Sequence, residues 1–246
     1  MPTQIIYIAV IILAVIIIIA ITWTRLKLFF TRIFRGKYSL AYINLYKKYY
    51  LKSPYAKCIK DEFIFRIFSF FEKSKDIKQY KTNKTIQFGE TPFLVRYNDL
   101  IKTFGKPYCF NTYLIQPSDN KLKIIGHKEQ MLNTDIKALY YFIDNTFFMG
   151  EYVFKEITHE TINKISNLLQ KKYLDDILTE GNDDFYIEDK DNTIIYFSYT
   201  GFALILRYYC RKDTQINSIL EEYFTETRTI SGNIENEHPD EFYDIL

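Results

Sequence analysis

At Ile136-Lys-Ala-Leu-Tyr-Tyr-Phe-Ile143 and again at Phe147-Phe-Met-Gly-Glu-Tyr-Val-Phe-Lys155, the chain carries two runs of mainly aromatic and aliphatic side chains. A short polar break that begins with Asp144-Asn145 separates the runs. Aromatic and branched residues favour strands, and Asp and Asn accept the positive φ that a tight hairpin turn requires. The sequence therefore predicts an antiparallel β-hairpin with strands at 136–143 and 147–155.

Further strands and helices surround this hairpin. Asn98 can cap a short helix that stops at Gly105, and Thr158 can cap a longer helix that runs to about Tyr173. The alternating segments on either side are predicted as strands at 108–116, 121–127, 185–189, 193–199 and 202–209. Residues 85–224 are therefore predicted to form an α+β domain in which helices pack on an antiparallel β-sheet.

A helix followed by an antiparallel meander occurs twice in this domain. Each of the two helices is rich in Leu and Ile and ends in an aromatic residue, at Leu100-Ile-Lys-Thr-Phe104 and at Leu168-Leu-Gln-Lys-Lys-Tyr173. The repetition predicts a degenerate duplication with halves at 85–156 and 157–224.

The first of these helices also resembles part of a known superfamily. The segment Asp99-Leu-Ile-Lys-Thr-Phe-Gly-Lys-Pro107 is a short helix stopped by Gly-x-Pro before strands. It resembles the helix-to-strand corner of the outer-membrane-assembly lipoprotein and β-lactamase-inhibitor-protein superfamily. The resemblance implies helices packed on an antiparallel sheet and a function in binding other proteins. The chain departs from the superfamily in having no lipoprotein cysteine after its apolar segment.

The N-terminal region contains a long apolar segment. The nineteen residues from Ile5 to Trp23 are uncharged, and as a helix they would extend about 28 Å, close to the thickness of one bilayer core. A signal peptide would instead need a basic start and a small-residue cleavage site. Here Met1-Pro-Thr-Gln4 precedes the segment and Arg25 follows it. The sequence predicts a retained, single-pass transmembrane anchor over residues 1–24.

Positive charge is concentrated directly after the anchor. The positive-inside rule therefore predicts that the bulk of the chain lies on the cytoplasmic side of the membrane. The predicted membrane-interface residues are Trp23, Arg25, Lys27, Phe29, Phe30, Arg32, Arg35 and Lys37.

Residues 25–73 are predicted to form basic, aromatic helices next to the membrane. Tyrosines recur there at helical spacing, with lysines between them, at Tyr38, Tyr42, Tyr46 and Tyr49. Such a face can contact lipid headgroups or pack against the chain's own domain, and the spacing leaves both alternatives open. A buried helix is predicted at 63–71 and a polar linker at 74–84.

The charge of the chain is divided unevenly. Residues 1–60 hold ten Lys/Arg and no Asp or Glu, whereas the remainder holds 22 basic and 30 acidic residues. Basic residues with interleaved tyrosines can bind nucleic acid. The adjoining membrane segment already accounts for them, however, and the acidic remainder would repel a polyanion. Nucleic acid is therefore not an expected partner.

Residues able to carry out chemistry are few. The three cysteines, Cys58, Cys109 and Cys210, are distant and odd in number, which argues against a disulfide framework and agrees with a reducing compartment. The histidines at 127, 159 and 238 belong to no metal or catalytic motif, and the acidic stretch 175–191 lacks the pattern of a calcium loop. The sequence therefore predicts no catalytic, cofactor or metal site. Cations around Cys210 can favour its thiolate, so a membrane-bound enzyme that uses Cys210 or an acidic pair is one alternative.

The chain ends in an acidic stretch, 225–246, with a small apolar tip. The predicted partner-facing residues are the tip residues Phe242, Tyr243, Ile245 and Leu246, together with the tyrosines Tyr38, Tyr42, Tyr46 and Tyr49. The leading hypothesis is a membrane-anchored protein-binding or accessory module with an unidentified protein partner. An anionic-lipid-binding surface protein is the other alternative. The sequence leaves the oligomeric state open.

Overall fold

The computed structural model describes most of the chain, at residues 2–59, 77–115, 118–155, 157–175, 184–199, 201 and 203–223. Two compact units are formed, Met1–Ala56 and Lys57–Leu246. The boundary between them falls inside the region 25–73 that was predicted to form basic, aromatic helices next to the membrane. The predicted helix at 63–71 and the tail at 225–246 lie outside the described residues.

The first unit begins with one long helix, α1 (Pro2–Arg35), of 34 residues. Its length is about 51 Å, which exceeds the thickness of a bilayer core. Among the described residues, α1 is the one helix that is long and apolar enough to cross a membrane, judged by length and composition. The aliphatic side chains between Ile11 and Ile19 are exposed. The basic residues that follow the apolar segment continue the same helix without a break.

A short turn ends α1 and starts a second helix. Gly36 has a φ of 80°, in the left-handed region that stops a helix. Ser39 then caps α2 (Leu40–Tyr50), because its hydroxyl accepts a 3.2 Å hydrogen bond from the backbone N–H of Tyr42. α2 contacts α1 and ends at Leu51, whose φ is 53°.

The tyrosines of this unit do not form the single face that was predicted from their spacing. Tyr38 precedes the N-cap of α2 and is buried. Tyr42, Tyr46 and Tyr50 lie along α2, with successive ring centroids 6.0 and 4.5 Å apart. Because the helix begins after Tyr38, that residue cannot share the face, and Tyr50 rather than Tyr49 continues the i, i+4 spacing.

The second unit is built on one eight-stranded sheet. The strands are β1 (Lys78–Thr82), β2 (Cys109–Ile115), β3 (Asn120–Met131), β4 (Thr134–Ile143), β5 (Thr146–Lys155), β6 (Phe185–Asp189), β7 (Thr193–Tyr199) and β8 (Ala203–Cys210). Their order across the sheet is β1-β6-β7-β8-β5-β4-β3-β2. β1 pairs with β6 in parallel, and every other neighbouring pair is antiparallel. The predicted α+β class is therefore confirmed.

The predicted hairpin forms the middle of this sheet as β4 and β5. Asp144 and Asn145 have φ values of 45° and 79°, as the predicted turn requires. The register shifts between Tyr141 and Phe142, which indicates a β-bulge. Because β3 and β8 pair with the outer sides of the hairpin, its backbone is hydrogen-bonded along both strands.

The edge strand β1 corrects the prediction of a linker at 74–84. Its sequence Lys78-Gln-Tyr-Lys-Thr82 is mostly polar, and only Thr82 is buried. Such a segment carries little hydrophobic signal of its own, and it becomes a strand because β6 supplies a parallel partner. Polar edge strands also limit unwanted pairing with other chains.

The helices of the second unit begin and end close to the predicted positions. α3 (Tyr97–Phe104) begins after Arg96, so Asn98 is not its cap, and it ends at Gly105 with a φ of 74°. α4 (His159–Leu174) is capped by Thr158, as predicted. A last helix is described from 214 to 223. The Asp213 carboxylate caps it by accepting a 3.0 Å hydrogen bond from the backbone N–H of Ile216.

One face of the sheet, the aromatic face, lies beneath α4 and Phe88. The side chains that α4 buries are Ile162, Ile165, Ser166, Leu169, Gln170 and Tyr173. The ring of Phe88 is fully buried and lies 4.3 Å from that of Tyr152 and 5.0 Å from that of Tyr140. Gly150 lies under this ring, where a Cβ atom would collide with Phe88. Glycine at this position therefore permits the close packing of Phe88 on the sheet.

The opposite face carries a second core. It includes side chains from β2, β3, β4, β5 and β8 and from the helix at 214–223. Its buried members are Cys58, Cys109, Ile115, Leu122, Ile124, Leu139, Tyr141, Ile143, Phe148, Met149, Tyr209, Ile216, Ile219 and Leu220. We call this side of the sheet the disulfide face.

We expect Gly150→Ala to lower the free energy of unfolding by roughly 1–3 kcal/mol, because the added methyl group overpacks the site under Phe88. Urea denaturation of the parent and the variant measures the loss. Phe88→Leu, which makes room at the same place, serves as the matched partner in a double-mutant cycle. The double variant is expected to lose less stability than the sum of the single variants. Strictly additive losses would contradict the collision.

Candidate binding surface on the disulfide face

A continuous row of cross-strand partners crosses the disulfide face from one edge of the sheet to the other. Cross-strand pairing aligns its members, one from each strand, and pairing in register places them on the same face. In order, the row is Cys109, Gly126, Leu139, Glu151, Arg207, Tyr196, Tyr186 and Gln79. We call it the central row. Its two ends and its middle carry the features that are candidates for function.

A disulfide bond occupies the β2 end of the central row. Cys58 is bonded to Cys109, with their Cα atoms 4.9 Å apart, a normal separation for a disulfide. The prediction from cysteine count was therefore wrong for this pair. Sequence distance was misleading, because the two cysteines are 51 positions apart in the sequence and are brought together only by the fold.

Neighbouring residues accommodate this disulfide. Gly126 lies opposite Cys109, and a Cβ atom at that position would collide with the Cys109 sulfur. Asn111, two residues along β2, accepts a 2.5 Å hydrogen bond from the backbone N–H of Cys58 and donates from Nδ2 to the carbonyl oxygen of Ile59 at 3.1 Å. Cys58 and Ile59 are therefore held against β2 by the hydrogen bonds of the Asn111 side chain as well as by the disulfide.

An ion pair forms the middle of the row. Arg207 on β8 donates from Nε to a carboxylate oxygen of Glu151 on β5 at 2.5 Å, and only 13% and 6% of the two side chains are exposed. A buried charge without its partner costs several kcal/mol. The pair therefore favours the register in which Glu151 and Arg207 lie opposite each other.

Tyrosines and one carboxylate occupy the next part of the row. The Tyr196 hydroxyl donates to Asp184 at 2.8 Å, and the Ser198 hydroxyl donates to the same oxygen at 2.9 Å. The ring of Tyr186 lies 5.0 Å from that of Tyr196. Burial, together with the nearby Asp184 charge, raises the pKa of Tyr196 to about 12. These tyrosines therefore stay neutral at physiological pH and act as hydrogen-bonding aromatic surfaces.

A pocket opens beside the central row where β1, β6, β7 and β8 lie together. It is lined by Gln79, Tyr80, Lys81, Tyr186, Glu188, Ile194, Tyr209 and Arg211. Tyr186, Ile194 and Tyr209 are buried and form its floor, while the charged residues form a more exposed rim. The Arg211 guanidinium lies 5.7 Å from the centre of the Tyr209 ring, close enough for a cation–π contact. We call this site the tyrosine pocket.

The tyrosine pocket is suited to binding an apolar or aromatic group that carries polar ends. Its floor offers ring faces and an aliphatic side chain, which are the usual anchors of recognition pockets. Lys81 and Arg211 attract anionic groups, and Glu188 attracts a cationic one. Because the rim carries charges of both signs, it affects the orientation of a bound segment more than the affinity.

The predicted membrane-interface residues all lie in the first unit. Trp23, Arg25, Lys27, Phe29, Phe30, Arg32 and Arg35 are on α1, and Lys37 follows in the turn. The Lys27 ammonium lies 5.4 Å from the centre of the Trp23 ring. Of the predicted partner-facing residues, Tyr42, Tyr46 and Tyr49 are on α2. Phe242, Tyr243, Ile245 and Leu246 lie outside the described residues.

The residues considered for catalysis lack the environment of an active site. Cys210 is buried at the end of β8, and burial raises the pKa of its thiol, the opposite of an activated nucleophile. His127 is half-buried on β3, and burial lowers its pKa. Asp189 accepts hydrogen bonds from the backbone N–H groups of Thr193 and Ile86 at 2.8 and 2.9 Å, so it stabilises the β6–β7 turn. Within the described ranges, no group of three His, Cys, Asp or Glu side chains is placed to hold a metal ion.

Sequence reasoning missed the ion pair and the tyrosine pocket. One signal was present, because Glu151 and Arg207 are single charges inside otherwise uncharged stretches of strand. Their opposite signs would have indicated that β5 and β8 are neighbours. The pocket gave no such signal, since its lining comes from four strands that are brought together only by the sheet order.

Comparison with known proteins gives no further identification. Neither a family model nor a curated protein nor a solved structure matches this chain.

We expect reduction of the Cys58–Cys109 disulfide to lower the free energy of unfolding by about 4 kcal/mol, because the bond closes a long loop in the unfolded chain. Guanidinium denaturation with and without a thiol reductant measures the change. The Cys58→Ala, Cys109→Ala double variant is the control and should show no response to the reductant. An equal response in that variant would assign the effect to Cys210 or to the reductant itself.

We expect Cys210 to react with iodoacetamide more slowly than a free model thiol at the same pH, because its thiol is buried and its pKa is raised. Alkylation kinetics followed by mass spectrometry in the Cys58→Ala, Cys109→Ala background isolate this one thiol. The reaction should become fast in denaturant. Rapid alkylation of the folded protein would instead support the alternative in which Cys210 is a nucleophile.

Proposed function

We propose that this chain is a membrane-anchored protein-binding module. In this proposal α1 spans the membrane, the second unit lies on the cytoplasmic side, and the tyrosine pocket receives a segment of a partner protein. The observation that carries the binding role is the pocket, with its buried aromatic floor and its rim of both charge signs.

Anchoring is supported by the order of residues along α1. Exposed aliphatic side chains from Ile11 to Ile19 come first, Trp23 follows, and the cations from Arg25 to Arg35 come last. This is the order of lipid core, aromatic belt and charged flank in membrane-spanning helices. The cationic flank also favours the cytoplasmic side for the residues that follow.

The Cys58–Cys109 disulfide is relevant to the side of the membrane on which the second unit lies. Cytosolic proteins usually keep their thiols reduced, and stable disulfides belong to oxidising compartments. On the cytoplasmic side the pair would therefore exist mainly as two thiols, while Asn111 keeps its hydrogen bonds to Cys58 and Ile59. The thiol state in intact cells is consequently an independent test of sidedness.

A protein segment suits the pocket better than a small polar ligand. Tyrosine and arginine are enriched at the centres of protein interfaces, where ring faces give contact area at low entropic cost. The partner expected here presents an aromatic or aliphatic side chain next to an acidic group, which Lys81 and Arg211 would attract. The resemblance of Asp99–Pro107 to a superfamily of protein-binding proteins points to the same role. The two helix–meander arrangements, α3 with β2–β5 and α4 with β6–β8, fit the proposed duplication.

A photo-crosslinking amino acid at Gln79, on the rim of the pocket, is expected to capture a discrete partner protein in intact cells. The same amino acid at Leu168, exposed on α4, is the positional control and should not capture that protein. Mass spectrometry of the crosslinked species identifies the partner and the compartment from which it comes.

Charge reversal makes this experiment decisive. Lys81→Glu with Arg211→Glu should abolish the crosslink from Gln79, while Lys155→Glu, away from the pocket, should preserve it. Capture that survives the pocket reversal would remove the pocket from the proposal. Partners confined to the outer side of the membrane, together with a fully oxidised Cys58–Cys109 pair in cells, would overturn the cytoplasmic placement.

A further inference from the structure

In the first unit, α1 and α2 form a helical hairpin, and the C-terminal end of α2 can also reach the membrane. We propose that the C-terminal end of α2, at Tyr50-Leu51-Lys52 with Lys47 and Lys48, inserts into the headgroup region of an anionic lipid leaflet beside α1. This inference rests on the proposed anchoring of α1 and adds a second, lipid-selective contact to it. We call residues 47–52 the hairpin tip.

The geometry of the hairpin brings the tip towards the membrane boundary. α2 contacts α1 after a connection of only four residues, 36–39, which is typical of antiparallel helix pairs. On the last turns of α1, the less exposed positions are Thr24, Leu28 and Thr31, which lie on one helical face. An eleven-residue helix is about 16 Å long and therefore spans the same rise as α1 from Arg35 back to Thr24. A helix lying against that face ends level with the start of the cationic flank.

The side chains of the tip are those of a membrane interface. Leu51 is 92% exposed and is held in the left-handed region at a φ of 53°, where a leucine is unusual. Tyr50 is exposed beside it, and its ring contacts that of Tyr46, with the two centroids 4.5 Å apart. An exposed leucine next to an amphipathic tyrosine is suited to the boundary between headgroups and acyl chains.

The positive charge of the first unit favours binding to an anionic surface. Residues 1–56 contain eight Lys/Arg and no Asp or Glu. Lys47, Lys48 and Lys52 are exposed around the tip. Clusters of lysine close to a membrane attract acidic lipids over a distance of about one Debye length, roughly 8–10 Å at physiological salt.

A lipid leaflet is favoured over an acidic protein as the occupant. Tyr50 and Leu51 are exposed beside the cations of the tip, and an acidic protein surface would cover the cations but leave these apolar groups in water. The bilayer that α1 crosses supplies both kinds of partner at once, with acyl chains for Leu51 and headgroups for the lysines.

Tryptophan fluorescence of the full chain in vesicles tests the inference. Trp23 is the only tryptophan, so Leu51→Trp in a Trp23→Phe background gives a single probe at the tip. In vesicles with about one-third anionic lipid, brominated acyl chains are expected to lower its emission roughly twofold or more. The quenching should weaken in purely zwitterionic vesicles and at high salt.

Three comparisons make the result specific. Leu168→Trp in the same background is an exposed leucine of the second unit and is expected to remain unquenched. Lys47→Gln, Lys48→Gln and Lys52→Gln together should remove the dependence of the Leu51→Trp signal on anionic lipid. The matched triple Lys106→Gln, Lys121→Gln and Lys155→Gln should leave it unchanged.

The failure of this inference can be distinguished from the failure of anchoring. Quenching of Trp23 in the parent chain reports whether α1 is in the bilayer. If Trp23 is quenched and the Leu51→Trp probe is not, anchoring stands and the second contact is disproved. Equal quenching of the Leu51→Trp probe in zwitterionic and anionic vesicles would overturn the lipid selectivity, and absence of quenching at Trp23 would overturn the anchor itself.

Discussion

The pairing of β5 with β8 is the constraint on which the second unit depends. It joins two meanders that are separate in the sequence into one sheet. The Glu151–Arg207 ion pair lies on this junction and is largely buried. Because each charge needs its partner, the ion pair favours this register over others, and a shift by one residue would turn every side chain of a strand to the other face.

From this junction the two faces acquire different roles. On the aromatic face, Phe88 lies over Gly150 and α4 covers the strands, so that side forms a closed core. On the disulfide face, the central row runs from the Cys58–Cys109 bond to the tyrosine pocket at the β1 edge. The same register therefore builds a core on each face and, at the β1 edge of the disulfide face, the candidate binding pocket.

Local signals were sufficient for most individual elements. The Asp144-Asn145 turn, the Thr158 cap and the Gly105 stop each act through the conformation of their own backbone, and all three stand where the sequence placed them. β1 was missed because a polar edge strand has almost no hydrophobic pattern. Tyr38 was wrongly grouped with the helical tyrosines, because helical spacing does not reveal that Ser39 begins the helix.

The sequence by itself determined the apolar helix, its cationic flank, the hairpin and the α+β class, since each depends on neighbouring residues and on a regular period. Only the tertiary structure decided that Cys58 meets Cys109, that Glu151 meets Arg207, and that four strands enclose the tyrosine pocket. Those contacts join residues many positions apart. Strand order and register bring them together, and both are set by the packing of the whole sheet rather than by any one segment.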